Sequence, residues 1–183
     1  MSPFSFAVGF LPVLLFLGAL LALDSYKLVT RRQVLVSIAW GGLSAALAFA
    51  ANRTLLHEVG LHPAMLQRYA APAVEEVLKA AWVLVLIRRA HVGFLVDAGV
   101  HGFAAGTGFA LIENVWYAHA LGDPNPWLWV LRGLGTAVMH GSTTAIVAIV
   151  TKSLADRHHA LAAKALPLVA LPGLGAAFVA HSA

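Results

Sequence analysis

The distribution of apolar residues constrains this chain more than any other feature. A bilayer core of about 30 Å needs about 20 mostly apolar residues in helical form. Stretches of that kind occur at Phe6–Leu23, Gln33–Ala51, Tyr69–Ile87, Asp97–Leu121, Trp127–Val150 and Ala165–Ala183. Asp, Glu, Lys and Arg make up only 11% of the 183 residues, whereas soluble domains run near about 25%. Charge this sparse cannot coat a water-soluble globule. The expected fold is all-α: a polytopic integral membrane protein with six transmembrane helices forming one transmembrane domain over residues 1–183. The first stretch reads as an anchor and not as a cleaved signal peptide. It lacks a basic leader, its apolar run is too long, and Asp24-Ser25-Tyr26 offers no small-residue cleavage site. With no cysteine in the chain, disulfides, thiolate nucleophiles and cysteine-based zinc sites are excluded.

The net charge of +4 is no sign of nucleic-acid binding, because the basic residues sort by loop. Lys27, Arg31 and Arg32 lie in the first connection, Arg88 and Arg89 in the third, and Lys152, Arg157 and Lys164 in the fifth. Only Arg53 and Arg68, both in the second connection, lie on the opposite side. By the positive-inside rule the first set is cytoplasmic and the N-terminus is outside, in the plasma membrane. The second connection, Asn52 to Arg68, reads as a long loop able to form a short helix along the outer interface. Gly122-Asp123-Pro124-Asn125-Pro126 reads as a tight turn that makes the fourth and fifth spans antiparallel neighbours. Trp127 and Trp129 follow it at the level of an interfacial aromatic belt.

Ionisable groups inside spans cost several kcal/mol each and mark functional sites by default. They are Glu75, Glu76 and Lys79 in the third span, His101 and Glu113 in the fourth, Arg132 and His140 in the fifth, and His181 in the sixth. At ~1.5 Å per residue, all but His101 fall in the outer half of the bilayer, His140 deepest. Glu75 and Glu76 precede Lys79 by four and three residues and so share one helix side with it. Gly102, Gly106, Phe109 and Glu113 form a second stripe, and Arg132, Thr136, His140 and Thr143 a third. Two adjacent carboxylates cannot both stay ionised at low dielectric without compensation. Lys79 can compensate one and leave the other for general acid–base work. Glu113 and His140 add proton-transfer partners or metal ligands. Such a cavity could hydrolyse a peptide bond or carry protons or ions, and the residue types alone do not choose.

Three motifs in successive spans narrow the choice. Glu75-Glu76-Val77-Leu78-Lys79 reads EExxK, Phe109 to Asn114 reads FxxxEN, and His140 follows on the next span. This order resembles the PrsW-type intramembrane proteases and, more distantly, the superfamily that includes the CAAX prenyl endopeptidases and bacteriocin-immunity proteins. The resemblance covers roughly Pro72 to His181. It implies a membrane-embedded endopeptidase acting on a transmembrane protein or peptide among membrane lipids, such as a single-span anti-sigma factor. Glu75, Glu76, Glu113 and His140 would be catalytic, supported by Lys79, Asn114, Arg132 and Thr144. Glu113 stands where the CAAX relatives carry a histidine, which leaves open whether the enzyme is of metallo or glutamate type. If a metal is bound, Glu113, His140 and His181 are the expected ligands, in a zinc site with an open position. Thr144 stands where those relatives place an asparagine, and its hydroxyl could donate to an oxyanion.

Blander readings stand beside these. Glu75 and Glu76 could be a structural pair neutralised by Lys79 and Arg132. Asn114 with Glu113 could be an interhelical clamp, and His140 a packed neutral histidine. The whole chain could be a non-catalytic scaffold or immunity-type binding protein, or a proton-coupled transporter, against which the lack of an inverted repeat counts.

Overall fold

The computed structural model describes residues 29–121 and 126–182, together with Leu11, Leu14, Leu15, Leu17 and Gly18. The first expected span, Phe6–Leu23, lies outside the described residues apart from those five. So do the turn at 122–125 and the side chains of Trp127 and Trp129. The described residues form helices and no strand.

Helix α1 runs Arg31–His57, longer at both ends than the apolar stretch it contains. Its start is fixed by a capping box: Thr30 Oγ1 accepts from Gln33 N at 3.3 Å, and Gln33 Oε1 accepts from Thr30 N at 2.8 Å. Its far end is set by glycine. Gly60 is left-handed at φ 72°, and Leu61 N closes back onto Leu55 O at 3.0 Å. No glycine or proline interrupts residues 43–59, so helix continues to His57, through the first third of what reads in sequence as the second loop.

That expectation is corrected further. Instead of an interfacial helix, His62 caps a short turn, Pro63–Met65, that passes through a π-helical turn, Leu66–Ala70, directly into α2, Ala71–Arg88. Pro72 gives the reason: it has no N–H and its ring crowds the carbonyl four residues back, so the turn before it widens.

Helix α3 spans Leu95–Leu121, α4 Pro126–Arg157 and α5 His159–Ser182. Asp97 Oδ2 accepts from Gly93 N and Phe94 N at 3.1 and 3.0 Å and starts α3. Helix α5 kinks at Ala165 (φ −146°, ψ 54°), just before Pro167.

Among the described residues four helices, α1, α3 (over Leu95–Tyr117), α4 (over Leu131–Arg157) and α5, are long and apolar enough to cross a membrane. Helix α2 carries Glu75, Glu76, Lys79 and Arg88 in 18 residues and packs against each of the other four. Helix α3 is the central one: 72% of its apolar window is buried, against 28–44% for the other three. Small residues allow this. A Cβ on Gly108 would collide with the backbone of Ile38 on α1, and one on Gly106 with that of His140 on α4.

Polarity is reversed relative to a soluble bundle. Leu35, Leu131, Leu168 and Val179 are exposed, whereas Glu76, Lys79, His101, Asn114 and His140 are among the buried residues. A hydrocarbon solvent selects that arrangement.

Candidate active site

Four helices each bring part of one polar cluster to the same end of the bundle, the end opposite Arg31, Arg88 and Arg157 (the basic end). Helix α2 contributes Glu75, Glu76 and Lys79 from its first turns, α3 Glu113 near its end, α4 His140 and Thr143, and α5 His181 from its last turn.

Glu76 is the hub. Its Oε1 accepts from Lys79 Nζ at 2.7 Å and Thr143 Oγ1 at 3.0 Å, and lies 2.9 Å from His181 Nδ1. Its Oε2 is buried and has no hydrogen-bond partner among the described residues. Lys79 Nζ also lies 2.9 Å from His140 Nδ1. An ammonium can only donate, so Nδ1 accepts and the ring proton sits on Nε2, which donates to Glu113 Oε2 at 3.1 Å. His181 Nε2 lies 3.7 Å from Glu75 Oε2. Phe109 closes one side, its ring centre 4.8 Å from that of His140 and 4.6 Å from Lys79 Nζ. The two histidine rings meet edge to face at 4.9 Å.

Side-chain exposure gives the cluster a direction. Lys79, Glu76 and His140 are 0–1% exposed, Glu75 and His181 12–13%, and Glu113 24%. The cluster is therefore sealed behind Lys79 and opens past Glu75 and Glu113.

Other residues singled out from the sequence sit around this centre. Asn114 is buried and clamps α3 to α4: its Nδ2 donates to Thr136 Oγ1 at 3.1 Å, while Thr136 donates to the Arg132 carbonyl at 2.6 Å. Arg132 stacks on Tyr117, 3.7 Å from the ring centre, with its Nε buried and without a hydrogen-bond partner among the described residues. The Thr144 hydroxyl turns back to the His140 carbonyl at 2.9 Å, so its bond is to its own helix. The threonine that reaches the carboxylates is Thr143, three residues from His140 on the same helix face, a spacing visible in the sequence. His101 stands apart toward the basic end, its Nδ1 2.9 Å from Ser37 Oγ, which accepts from Trp82 Nε1 at 2.9 Å.

The donor set fits a divalent cation. Glu75, His140 and His181 each offer a ligand atom within 4.8 Å of the others, two imidazole nitrogens and a carboxylate oxygen of the kind found in catalytic zinc sites. Three carboxylates gather here against two fixed cations, Lys79 and the nearby Arg132. Glu76, whose Oε1 lies 2.9 Å from His181 Nδ1, adds a second, unpartnered oxygen beside this trio among the described residues. Loading an ion on His140 would exchange one of its two hydrogen bonds. Glu113, expected as a ligand beside both histidines, instead touches His140.

A profile of the PrsW family of intramembrane metalloproteases matches residues 30–183, the segment that builds the whole cluster. No characterised protein and no solved structure matches the chain.

Proposed function

The chain belongs to the PrsW family of intramembrane metalloproteases and is a membrane-embedded peptidase; on that premise we propose that it cleaves a peptide bond in or near a membrane-spanning substrate at the Glu75–Glu76–His140–His181 cluster. The observation that carries this reading is the buried, unpartnered Glu76 Oε2 beside a His–His–Glu ligand set. Glu76 Oε2 takes the proton of the attacking water and returns it to the departing amine. Its partner Oε1 is held by Lys79, Thr143 and His181, which fix the carboxylate plane. Glu75, His140 and His181 would hold the metal, zinc by donor chemistry. When bound it supplies Lewis-acid polarisation for amide hydrolysis. Glu113 orients His140 through Nε2, and Asn114, through Thr136, fixes the spacing of α3 and α4. Arg132, at the rim, offsets the carboxylate excess.

The topology that goes with this reading has six spans and an outside N-terminus, with α2 crossing among the other helices and its charges turned inward. Arg31, Arg32, Arg88, Arg89, Lys152, Arg157 and Lys164 gather at the end remote from the cluster, which supports a cytoplasmic basic end. The site then lies in the outer half of the plasma membrane, surrounded by lipid and reached by transmembrane proteins.

Purified protein and a reporter with one transmembrane helix test the reading. Glu76→Gln and Glu75→Gln are each expected to lose about 100-fold or more in rate. Wild-type rates in both variants would remove it.

A further inference from the structure

A cavity of about 630 Å³ runs from the carboxylates to the flank of the bundle, between the far half of α1, the π-helical turn and α3. Its size falls within the roughly 300–1,000 Å³ of ordinary ligand pockets. It exists because α1 and α3 touch unevenly. At Gly41 and Gly108 their backbones are in direct contact, so that no Cβ would fit. Toward the cluster, Phe49 and Trp116 stand between the helices, with ring centres 5.1 Å apart. Glu75 and Glu113 line the deep end, Ala45 and Ala46 one wall, and Asn52 and Arg53 lie toward the end of α1.

We infer that this cavity is the substrate groove, and that it receives an unwound stretch of a membrane-spanning segment with small or apolar side chains and an acidic flank. The inference rests on the peptidase reading and names the substrate class and its route to the site.

Three observations favour a peptide over an acyl chain. Asn52 Oδ1 is buried without a hydrogen-bond partner among the described residues, and an unwound backbone brings the N–H it lacks. An unwound peptide in hydrocarbon must satisfy its own polar groups on the protein, and the Asn52 and Gln67 amides both line the cavity. An acyl chain offers no donor and gains nothing from the carboxylates at the deep end. Arg53, exposed where the cavity meets the end of α1, and Arg132, stacked on the cavity-lining Tyr117, supply charge complementary to an acidic flank.

The chain has no cysteine, so a single introduced thiol reports position cleanly. Ala46→Cys and Ile112→Cys place one in the cavity, while Gly135→Cys and Gly175→Cys face open space on α4 and α5. Each is made in the Glu76→Gln background and oxidised with a single-span reporter peptide carrying one cysteine in the third of its helix nearest the site. The expected result is a mixed disulfide at Ala46→Cys and Ile112→Cys and none at the glycine positions.

Crosslinking confined to the glycine positions, or spread evenly over all four, overturns the groove even if the wild-type protein cleaves the reporter, in which case the peptidase reading stands. Crosslinking in the cavity without cleavage by the wild type keeps the groove and overturns the reading. Loss of both overturns both. Labelling of the cavity thiols by an acyl-chain maleimide, with no peptide disulfide, assigns the space to lipid and overturns the inference. In kinetics, Asn52→Leu is expected to raise KM about three- to tenfold, the value of one hydrogen bond, with kcat unchanged. A fall in kcat alone contradicts the assignment. Arg53→Gln is expected to weaken the preference for an acidic over a basic flank, and an unchanged preference counts against the groove's polarity.

Discussion

Replacing Lys79 with methionine tests the electrostatics of the cluster. Lys79 is 0% exposed and its ammonium lies 2.7 Å from Glu76 Oε1, 2.9 Å from His140 Nδ1 and 4.6 Å above the Phe109 ring. Methionine keeps nearly the same volume and removes the charge, so the change isolates the loss of compensation from a loss of packing. Glu76 then keeps only Thr143 and His181. Breaking a buried pair by removing one partner costs about 3–5 kcal/mol, and in a chain of this length each kcal/mol moves the melting temperature by about 2–4 °C. Melting in detergent micelles, followed by loss of helicity, is therefore expected to shift down by about 6–20 °C. The double variant Lys79→Met/Glu76→Gln leaves no charge unpaired at that position and is expected to recover most of the loss, a coupling larger than the sum of single effects allows. A Lys79→Met protein that melts like the wild type, or a double variant less stable than the single one, would refute the placement of the ammonium on Glu76.

Other substitutions probe the frame around the cluster. Gly106→Ala puts a methyl group against the His140 backbone and should destabilise by about 1–3 kcal/mol while lowering peptidase rate; unchanged melting and rate would deny the α3–α4 contact. Thr136→Val removes the Asn114 clamp and should cost about 0.5–1.5 kcal/mol with bound metal retained, as read by melting and elemental analysis. His181→Ala and Glu75→Ala should each lose stoichiometric zinc by elemental analysis, whereas Asn114→Ala should keep it. Equal zinc in all three would move the metal elsewhere.

Much of this arrangement is legible along the chain because the polar residues stand out against an apolar background. Spacings of three and four residues put Glu75, Glu76 and Lys79 on one helix side, and the glycine stripe at Gly102 and Gly106 marks the face on which α4 lies. Pairing is not legible, because it depends on helix rotation and crossing. Glu113 reads as a metal ligand, yet it meets His140 Nε2, and Glu75 completes the trio with the two histidines. Thr144 and Thr143 differ by one residue, about 100° around a helix, enough to turn one to its own backbone and the other to Glu76. Asn52 carries no signal at all: it sits in what reads as a loop because apolarity falls there, while the helix continues to a stop set by Gly60. Apolarity reports the hydrocarbon region, and backbone geometry decides where a helix ends.

The most direct test of the central claim is reporter cleavage measured against bound zinc on a single preparation, before chelation, after it and on stepwise return of the metal. The arrangement of Glu75, His140 and His181 predicts a rate that rises in proportion to zinc until each chain holds one ion, and that vanishes without it. Full cleavage by a protein stripped of metal would contradict it.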